Sequence, residues 1–228
     1  MKQSVLKTAF LDTIPVMTGY LFLGFGFGIA LQQAGFGWLW AAAMSLFIYA
    51  GSMQYVAIGL LSSGAGLLTA AVTTFLVNAR HLFYGISMVD TYKGAGKKKP
   101  YLIFALTDET YSLVSRLPQG TNRMQYCFWV SLLDQIYWVG GSLLGSWAGA
   151  VLPLNFTGID FVLTALFLTI FLEQWLSAAD HRPAIVGVAV TTGCLVLFGA
   201  DLFLIPSMTI ITAILALSPK TSMEAQHD

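Results

Sequence analysis

Charge is what this sequence has least of. Asp, Glu, Lys and Arg make up 10% of its 228 residues, where a soluble domain carries about 25%. So few charges cannot cover a water-facing surface, which excludes an ordinary soluble enzyme and a disordered regulator. Nor is one sign in surplus, because eleven Lys and Arg balance eleven Asp and Glu. Without a basic excess the chain cannot collect phosphates as a nucleic-acid binder does. Cysteine is scarce as well. Cys127 and Cys194 both lie inside apolar stretches, which suggests neither a disulfide framework nor a metal knuckle. Gly94-Ala95-Gly96-Lys97 lacks the spacing of a phosphate loop, and there is no serine-centred elbow, HExxH or paired metal-ligand spacing. No enzyme activity, cofactor, metal or nucleotide is expected.

What fills the chain instead is apolar: 57% of residues are hydrophobic and the mean hydropathy is +0.74. A membrane helix needs roughly 20 mostly apolar residues. Stretches 10–31, 38–61, 127–151 and 160–178 qualify, while 65–90 and 184–217 are interrupted by polar residues. The expected fold is all-α, a polytopic membrane helix bundle of about six to eight segments, forming one transmembrane domain over 1–228. Lys2 and Lys7 before the first stretch resemble the start of a signal peptide. Its apolar run is too long and lacks a small-residue cleavage site, so a retained span is expected.

Orientation follows the positions of Lys and Arg. Lys2 and Lys7, then Lys93, Lys97, Lys98 and Lys99, then Arg116, Arg123, Arg182 and Lys220 all lie between apolar stretches or beyond them. Connections near 32–37, 152–159 and 199–201 have none. If every basic loop is cytoplasmic, an even number of crossings separates Lys7 from Lys93. Spans 10–31 and 38–61 supply two, so 65–90 is expected to enter and leave on one side, with both termini inside. The competing count makes 65–90 an ordinary span with the N-terminus outside. Segment 101–117, with Asp108, Glu109 and Arg116, is expected to lie along the surface, the alternative being that it folds back into the bundle, where Asp108 and Glu109 could carry a coupling proton. Trp38, Trp40, Trp129 and Tyr126, near span ends, read as interfacial anchors.

The two halves look alike in the same order. Gly24-x-x-x-Gly28 recurs as Gly141-x-x-x-Gly145, and Phe47 and Gln54 recur as Phe167 and Gln174. Ala71-Val72-Thr73-Thr74 recurs as Ala189-Val190-Thr191-Thr192, and Leu82-Phe83 as Leu202-Phe203. The offset stays between 117 and 120 residues. A duplication is therefore expected: repeat one over about 10–90, a cytoplasmic linker over about 91–125 and repeat two over about 126–217. Paired repeats with broken or re-entrant helices are the build of secondary transporters, whose site lies between the repeats. The glycine ladders themselves need only close helix packing.

Asn78-Ala79-Arg80-His81 carries the sharpest chemistry. Arg80 is the one basic residue outside the loops, and a charge at membrane depth costs about 3 kcal/mol or more. One reading is a broken helix in which Arg80, with free backbone N–H groups near Asn78, receives a carboxylate. The other is a short interfacial loop with Arg80 snorkelling to water. Asp201 occupies the matching break in the second half and could pair with Arg80 across the repeat axis, or lie in an external turn. Gly51 and Gln54, with Glu173 and Gln174, are candidates to hold an ammonium group. For Gln54 the alternative is a helix-to-helix hydrogen bond, and for Glu173 an interfacial position. Phe47, Phe83 and Trp175 offer an apolar wall. Asp134, deep in 127–151, is costly to keep charged and so can carry a coupling proton. His81, Asp108 and Asp201 are the other proton candidates.

With those residues in view, the chain resembles the AzlC-like family of branched-chain amino acid permeases, named for azaleucine resistance. The likeness lies in Gly24-Phe25-Gly26-Phe27-Gly28, Ala50-Gly51-Ser52-Met53-Gln54, Asn78-Ala79-Arg80-His81-Leu82 and Thr107-Asp108-Glu109-Thr110. The resemblance implies a bacterial inner-membrane exporter of valine, leucine, isoleucine or similar amino acids. It also implies a second, smaller membrane subunit of the AzlD type. A proton-coupled secondary exporter is thus the expected function; a channel or non-transporting scaffold subunit is the rival.

Overall fold

The computed structural model describes residues 4–115, 122–152, 168, 171–172, 175–176, 178, 180–199 and 203–217. The chain divides at residues 167 and 168 into two units. The first contains α1 (Val5–Gln33), α2 (Trp38–Phe47), α3 (Gly51–Ser62), α4 (Leu67–Asn78), α5 (Arg80–Ser87), α6 (Lys99–Phe104), α7 (Asp108–Ser115) and α8 (Arg123–Val151). No strand occurs among the described residues.

The long helices α1 and α8 form the spine. Each starts on a side-chain cap: Ser4 accepts from the Lys7 amide and Asn122 from the Gln125 amide, worth about 1 kcal/mol apiece. At 29 residues each spans about 43 Å. Among the described residues, α1 alone is both long and apolar enough to cross a membrane as one piece. The two helices run parallel, because contacts advance along both together. Tyr126 donates to Asp12, Gly24 lies against Trp138 and Ser142, and Gly149 against Gln32. Glycine makes this approach possible. A Cβ on Gly24 would sit 2.9 Å from the Trp138 carbonyl oxygen, and one on Gly141 2.8 Å from that of Leu21. At Gly28 and Gly145 the opposing backbone is closer still. Tyr126 is buried in this pairing, which corrects its reading as an interfacial anchor.

Two helical hairpins pack on the spine from opposite ends. Between α2 and α3, Tyr49 adopts φ +47°, a left-handed conformation costing a non-glycine residue about 1–3 kcal/mol. The chain then reverses. Gln54 Nε2 donates to Ser45 Oγ at 3.3 Å, whereas nine residues of continuous helix would separate them by about 13 Å. Tyr55 donates to the Leu23 carbonyl, so α3 heads back toward the C-terminal end of α1. The α6–α7 pair reverses likewise at Ala105-Leu106-Thr107. Tyr101 donates to Gln135 and Thr110 to Asp134, adjacent residues of α8, although nine residues separate 101 from 110 too. Its ends lie near the N-terminal ends of the spine, where Leu102 and Val114 join Ala9, Met88, Tyr92, Tyr126 and Cys127 in one apolar cluster. Between the hairpins α4 and α5, interrupted only at Ala79, carry the chain from one end of the spine to the other.

These hairpins correct two expectations. Segment 38–61 turns back instead of passing straight through, and 65–90 is the traversing segment. No glycine or proline sits at the tip, so the left-handed Tyr49 left no mark in composition. Within segment 101–117 the described residues 101–115 are folded inward, with Leu102, Ala105, Leu106, Thr110 and Val114 all buried. The charges of Asp108, Glu109 and Arg116 pointed to the surface, and the apolar residues that oppose them are spread over two short helices.

The second unit contains α9 (Arg182–Phe198) and α10 (Leu204–Leu217), which pack on each other. Pro183 starts α9 where its missing N–H costs nothing.

Candidate functional site

Three interruptions of helix meet in the first unit. Ile48, Tyr49 and Ala50 come from the first hairpin tip, Ile103, Phe104 and Leu106 from the second, and Asn78, His81 and Gly85 flank the break at Ala79. Together they line a cavity of about 220 Å³. That is smaller than the roughly 300–1,000 Å³ of drug-sized ligand sites, a size for a small solute. Its wall is apolar on the hairpin side, with the Tyr49 and Phe104 rings 6.1 Å apart. His81 Nδ1 is 3.2 Å from the Asn78 carbonyl oxygen.

Arg80 ties the interruptions together. Its Nη2 donates to Ser52 Oγ at 3.1 Å, in the first turn of α3, and lies 3.0 Å from Asp108 Oδ2 at the start of α7. Both charged side chains are a little over a quarter exposed, at 28% and 27%. Arg80 Nε and Asn78 Oδ1 are buried without partners among the described residues. The break at Ala79 therefore presents unused donor and acceptor capacity beside an ion pair and an apolar cavity. Such an arrangement suits a solute with a charged end and an aliphatic end.

Asp134 is fully buried on α8 and joined to the second hairpin. Thr110 Oγ1 donates to its Oδ2 at 2.8 Å, Thr107 Oγ1 donates to Thr110 Oγ1 at 3.1 Å, and the Tyr20 hydroxyl lies 2.7 Å from Thr107 Oγ1. The same Tyr20 hydroxyl donates to Glu109 Oε2 at 2.6 Å. Asp134 was singled out by depth alone. Glu109 is a proton candidate only if 101–117 folds back into the bundle, as its described part does; Tyr20, Thr107, Thr110 and Ser52 carry no site signal beyond the Thr107-Asp108-Glu109-Thr110 run.

The other expected site residues scatter. Gln54 is fully buried and uses both ends of its amide, donating to Ser45 and accepting from Trp138 Nε1 at 2.9 Å. Gly51 faces the same indole, where a Cβ would meet Trp138 Cη2 at 2.9 Å. Both therefore lock α3 to α8. Phe47 is 78% exposed on the outside of α2. Trp175 belongs to the second unit, stacked on His181 with ring centroids 4.2 Å apart. It lines a separate open cavity of about 580 Å³ with Phe171, Pro183 and Thr191. Glu173, Gln174, Asp201 and the side chain of Phe83 lie outside the described residues.

Comparison with known proteins gives these arrangements a context. A family model described as AzlC protein matches residues 15–152. The branched-chain amino acid transport protein AzlC of Bacillus subtilis is 41% identical over 225 residues, covering 98% of this chain and 89% of that protein. An uncharacterized membrane protein of Helicobacter pylori strain J99 is 41% identical over 216 residues, covering 94% and 95%. The inner membrane protein YgaZ of Escherichia coli is 28% identical over 200 residues, covering 86% and 81%. No solved structure matches the chain.

Proposed function

The chain belongs to the AzlC family, and from that premise we propose a secondary transporter that exports branched-chain or related hydrophobic amino acids across the bacterial inner membrane. It draws on the proton gradient and works with a small membrane subunit of the AzlD type. One observation carries this reading: three interrupted helices converge on a small, largely apolar cavity beside a linked Arg80–Asp108 pair. Non-helical backbone at membrane depth is tolerated only where protein buries it or it lines a cavity, and broken helices build substrate sites in transporters.

In this reading a zwitterion enters the pair. Its carboxylate takes Arg80, helped by the break near Asn78, and its ammonium takes Asp108. One opposite charge replaces another at each end, so no uncompensated charge is buried. The aliphatic side chain occupies the cavity between Ile48, Ile103, Phe104 and Leu106. Such a wall distinguishes neighbouring aliphatic side chains only modestly, which suits a group of related amino acids.

The membrane arrangement we propose has α1, α4–α5 and α8 crossing, with the two hairpins re-entering from opposite sides. It sets Lys7, Lys93, Lys97, Lys98, Lys99 and Arg123 on one face, consistent with a cytoplasmic N-terminus. The helices α1 and α8, of equal length and joined through glycines 117 residues apart, favour a duplication with parallel repeats. The helix breaks after Asn78 and after Phe198 fall at corresponding places.

Efflux of labelled valine from cells expressing Arg80→Ala together with the partner subunit tests the site. Loss of efflux at equal expression is expected, and unchanged efflux sinks the assignment. The satisfied amide of Gln54 favours, for that residue, the rival reading of a scaffold or channel subunit. A channel would move valine without dependence on the proton gradient, so collapsing the gradient in loaded vesicles separates the two.

A further inference from the structure

Tyr20, Thr107 and Thr110 connect two carboxyl groups through four contacts. They are Glu109 to Tyr20 at 2.6 Å, Tyr20 to Thr107 at 2.7 Å, Thr107 to Thr110 at 3.1 Å and Thr110 to Asp134 at 2.8 Å. The last three fall within or near the usual range of hydroxyl hydrogen bonds, and the first has the shortness of one to a charged acceptor. Each hydroxyl owns one proton. Four hydrogen bonds need four protons, and with both carboxyls ionised the three hydroxyls supply three. Tyr20 would donate to Glu109, Thr107 to Thr110 and Thr110 to Asp134, leaving two oxygens 2.7 Å apart at Tyr20 and Thr107 with no proton between them. The backbone amide of Thr110 also donates to Thr107 Oγ1, which occupies a lone pair and supplies the gap with nothing.

We infer that Glu109 and Asp134 hold one proton between them and exchange it along the hydroxyls of Tyr20, Thr107 and Thr110. In one arrangement Glu109 is the acid, donating to Tyr20, which donates to Thr107, then Thr110, then the Asp134 carboxylate. To move the proton, the O–H bonds of Glu109, Tyr20, Thr107 and Thr110 break. New ones form on Tyr20, Thr107, Thr110 and Asp134. Every donor then points the other way, Asp134 is the acid and Glu109 is ionised. Four bonds break and four form, with no change of oxidation state.

The surroundings suit a shared proton. Among the described residues neither carboxyl has a Lys or Arg ion-pair partner, and Asp134 Oδ1 is buried without any partner. Tyr49, Tyr101 and Tyr126 are the other titratable groups near Asp134, while Asp108, held by Arg80, lies beside Glu109 together with Tyr49 and Tyr84. Glu109 directly follows Asp108. Passing the proton to Asp134 thus places a second negative charge beside the Arg80–Asp108 pair and strengthens its hold on an ammonium group. This coupling step rests on the transporter reading; the shared proton does not.

Infrared difference spectra of the purified full chain test the sharing. Wild type is expected to show one protonated carboxyl band at neutral pH. Glu109→Gln and Asp134→Asn should each abolish it, because an amide N–H supplies the missing fourth proton from either end. A band that survives in either variant overturns the inference, since the proton then belongs to one residue alone. Vesicle transport reads the coupling. Tyr20→Phe and Thr110→Val should keep valine counterflow while losing gradient-driven transport by at least about tenfold, and Thr110→Ser should restore it. Gradient-driven transport unchanged in both overturns the coupling role. Absence of counterflow in wild type would count against the transporter reading, while the infrared result stands by itself.

Discussion

Arg80 and Asp108 lie 3.0 Å apart and join a helix break on one segment to the start of a helix on another. Arg80 also reaches Ser52 at 3.1 Å, so a single guanidinium holds the first turn of α3 and the first turn of α7. A guanidinium offers several donors in a fixed fork, which an ammonium group cannot reproduce.

Replacing Arg80 by Lys should therefore fail despite the retained charge. Valine efflux is expected to drop at least about tenfold, or about 1.4 kcal/mol, with expression unchanged. Asp108→Asn leaves the cation without its partner, and hydrogen bonds to charged groups are worth about 1.5–3 kcal/mol. Its melting temperature should fall. In Arg80→Met combined with Asp108→Leu no charge is left stranded, so the melting temperature should recover while efflux stays lost. Recovery of both would mean that the pair only holds the helices.

The spine makes a sharper structural prediction. Gly28 and Gly145 face opposing backbone that leaves no room for a side chain, whereas Gly140 has nothing within 4 Å of its Cβ direction. Gly28→Val should destabilise the protein by at least about 1–3 kcal/mol or prevent its accumulation. Gly140→Ala should leave the melting temperature within about 0.5 kcal/mol equivalent of wild type. Thermal unfolding of the purified variants checks both.

The cavity gives a specificity test. Gly85 lines it and has nothing within 4 Å of its Cβ direction, so a side chain can start there without meeting another atom and take up cavity space. Gly85→Val should reduce leucine export more than alanine export, by about tenfold in the ratio, the worth of a methylene or two in an apolar pocket. Competition of unlabelled amino acids against labelled valine efflux measures this ratio. An unchanged ratio would place the side-chain pocket elsewhere.

How much of this was legible beforehand differs by residue. The membrane class followed from scarce charge, and the four glycines of the spine announced a close helix pair, because both signals are local or periodic. Arg80 stood out because one cation among apolar neighbours is costly wherever it sits. Its partner did not. Twenty-eight residues separate Arg80 from Asp108, and only the folding of 101–115 into the core brings them together. Asp201, for which pairing with Arg80 and an external turn were both open, lies outside the described residues. Gln54 and Gly51 looked like ligands because an amide and a glycine deep in a span resemble an unwound site, yet the Trp138 indole accounts for both. Reversal at Tyr49 was invisible, since a tyrosine in a left-handed conformation is fixed by tertiary packing and has no local sequence preference behind it.

That reversal is also the point on which sidedness turns. If 38–61 crossed the membrane, Gln33 and Ser63 would lie on opposite faces. The hairpin instead returns α3 toward the end of α1 where α2 began, through Tyr55 and Leu23, so in the proposed membrane arrangement Gln33 and Ser63 share a face and Lys97 lies on the other. All three side chains are exposed. Cys127 and Cys194 are buried and can be replaced by Ala to give a background free of thiols. In that background Gln33→Cys and Ser63→Cys should both react with a membrane-impermeant maleimide added to intact cells. Lys97→Cys should react only after the membrane is opened. Labelling of Gln33→Cys alone, with Ser63→Cys and Lys97→Cys both protected, would restore the straight crossing and remove the hairpin tip from the site.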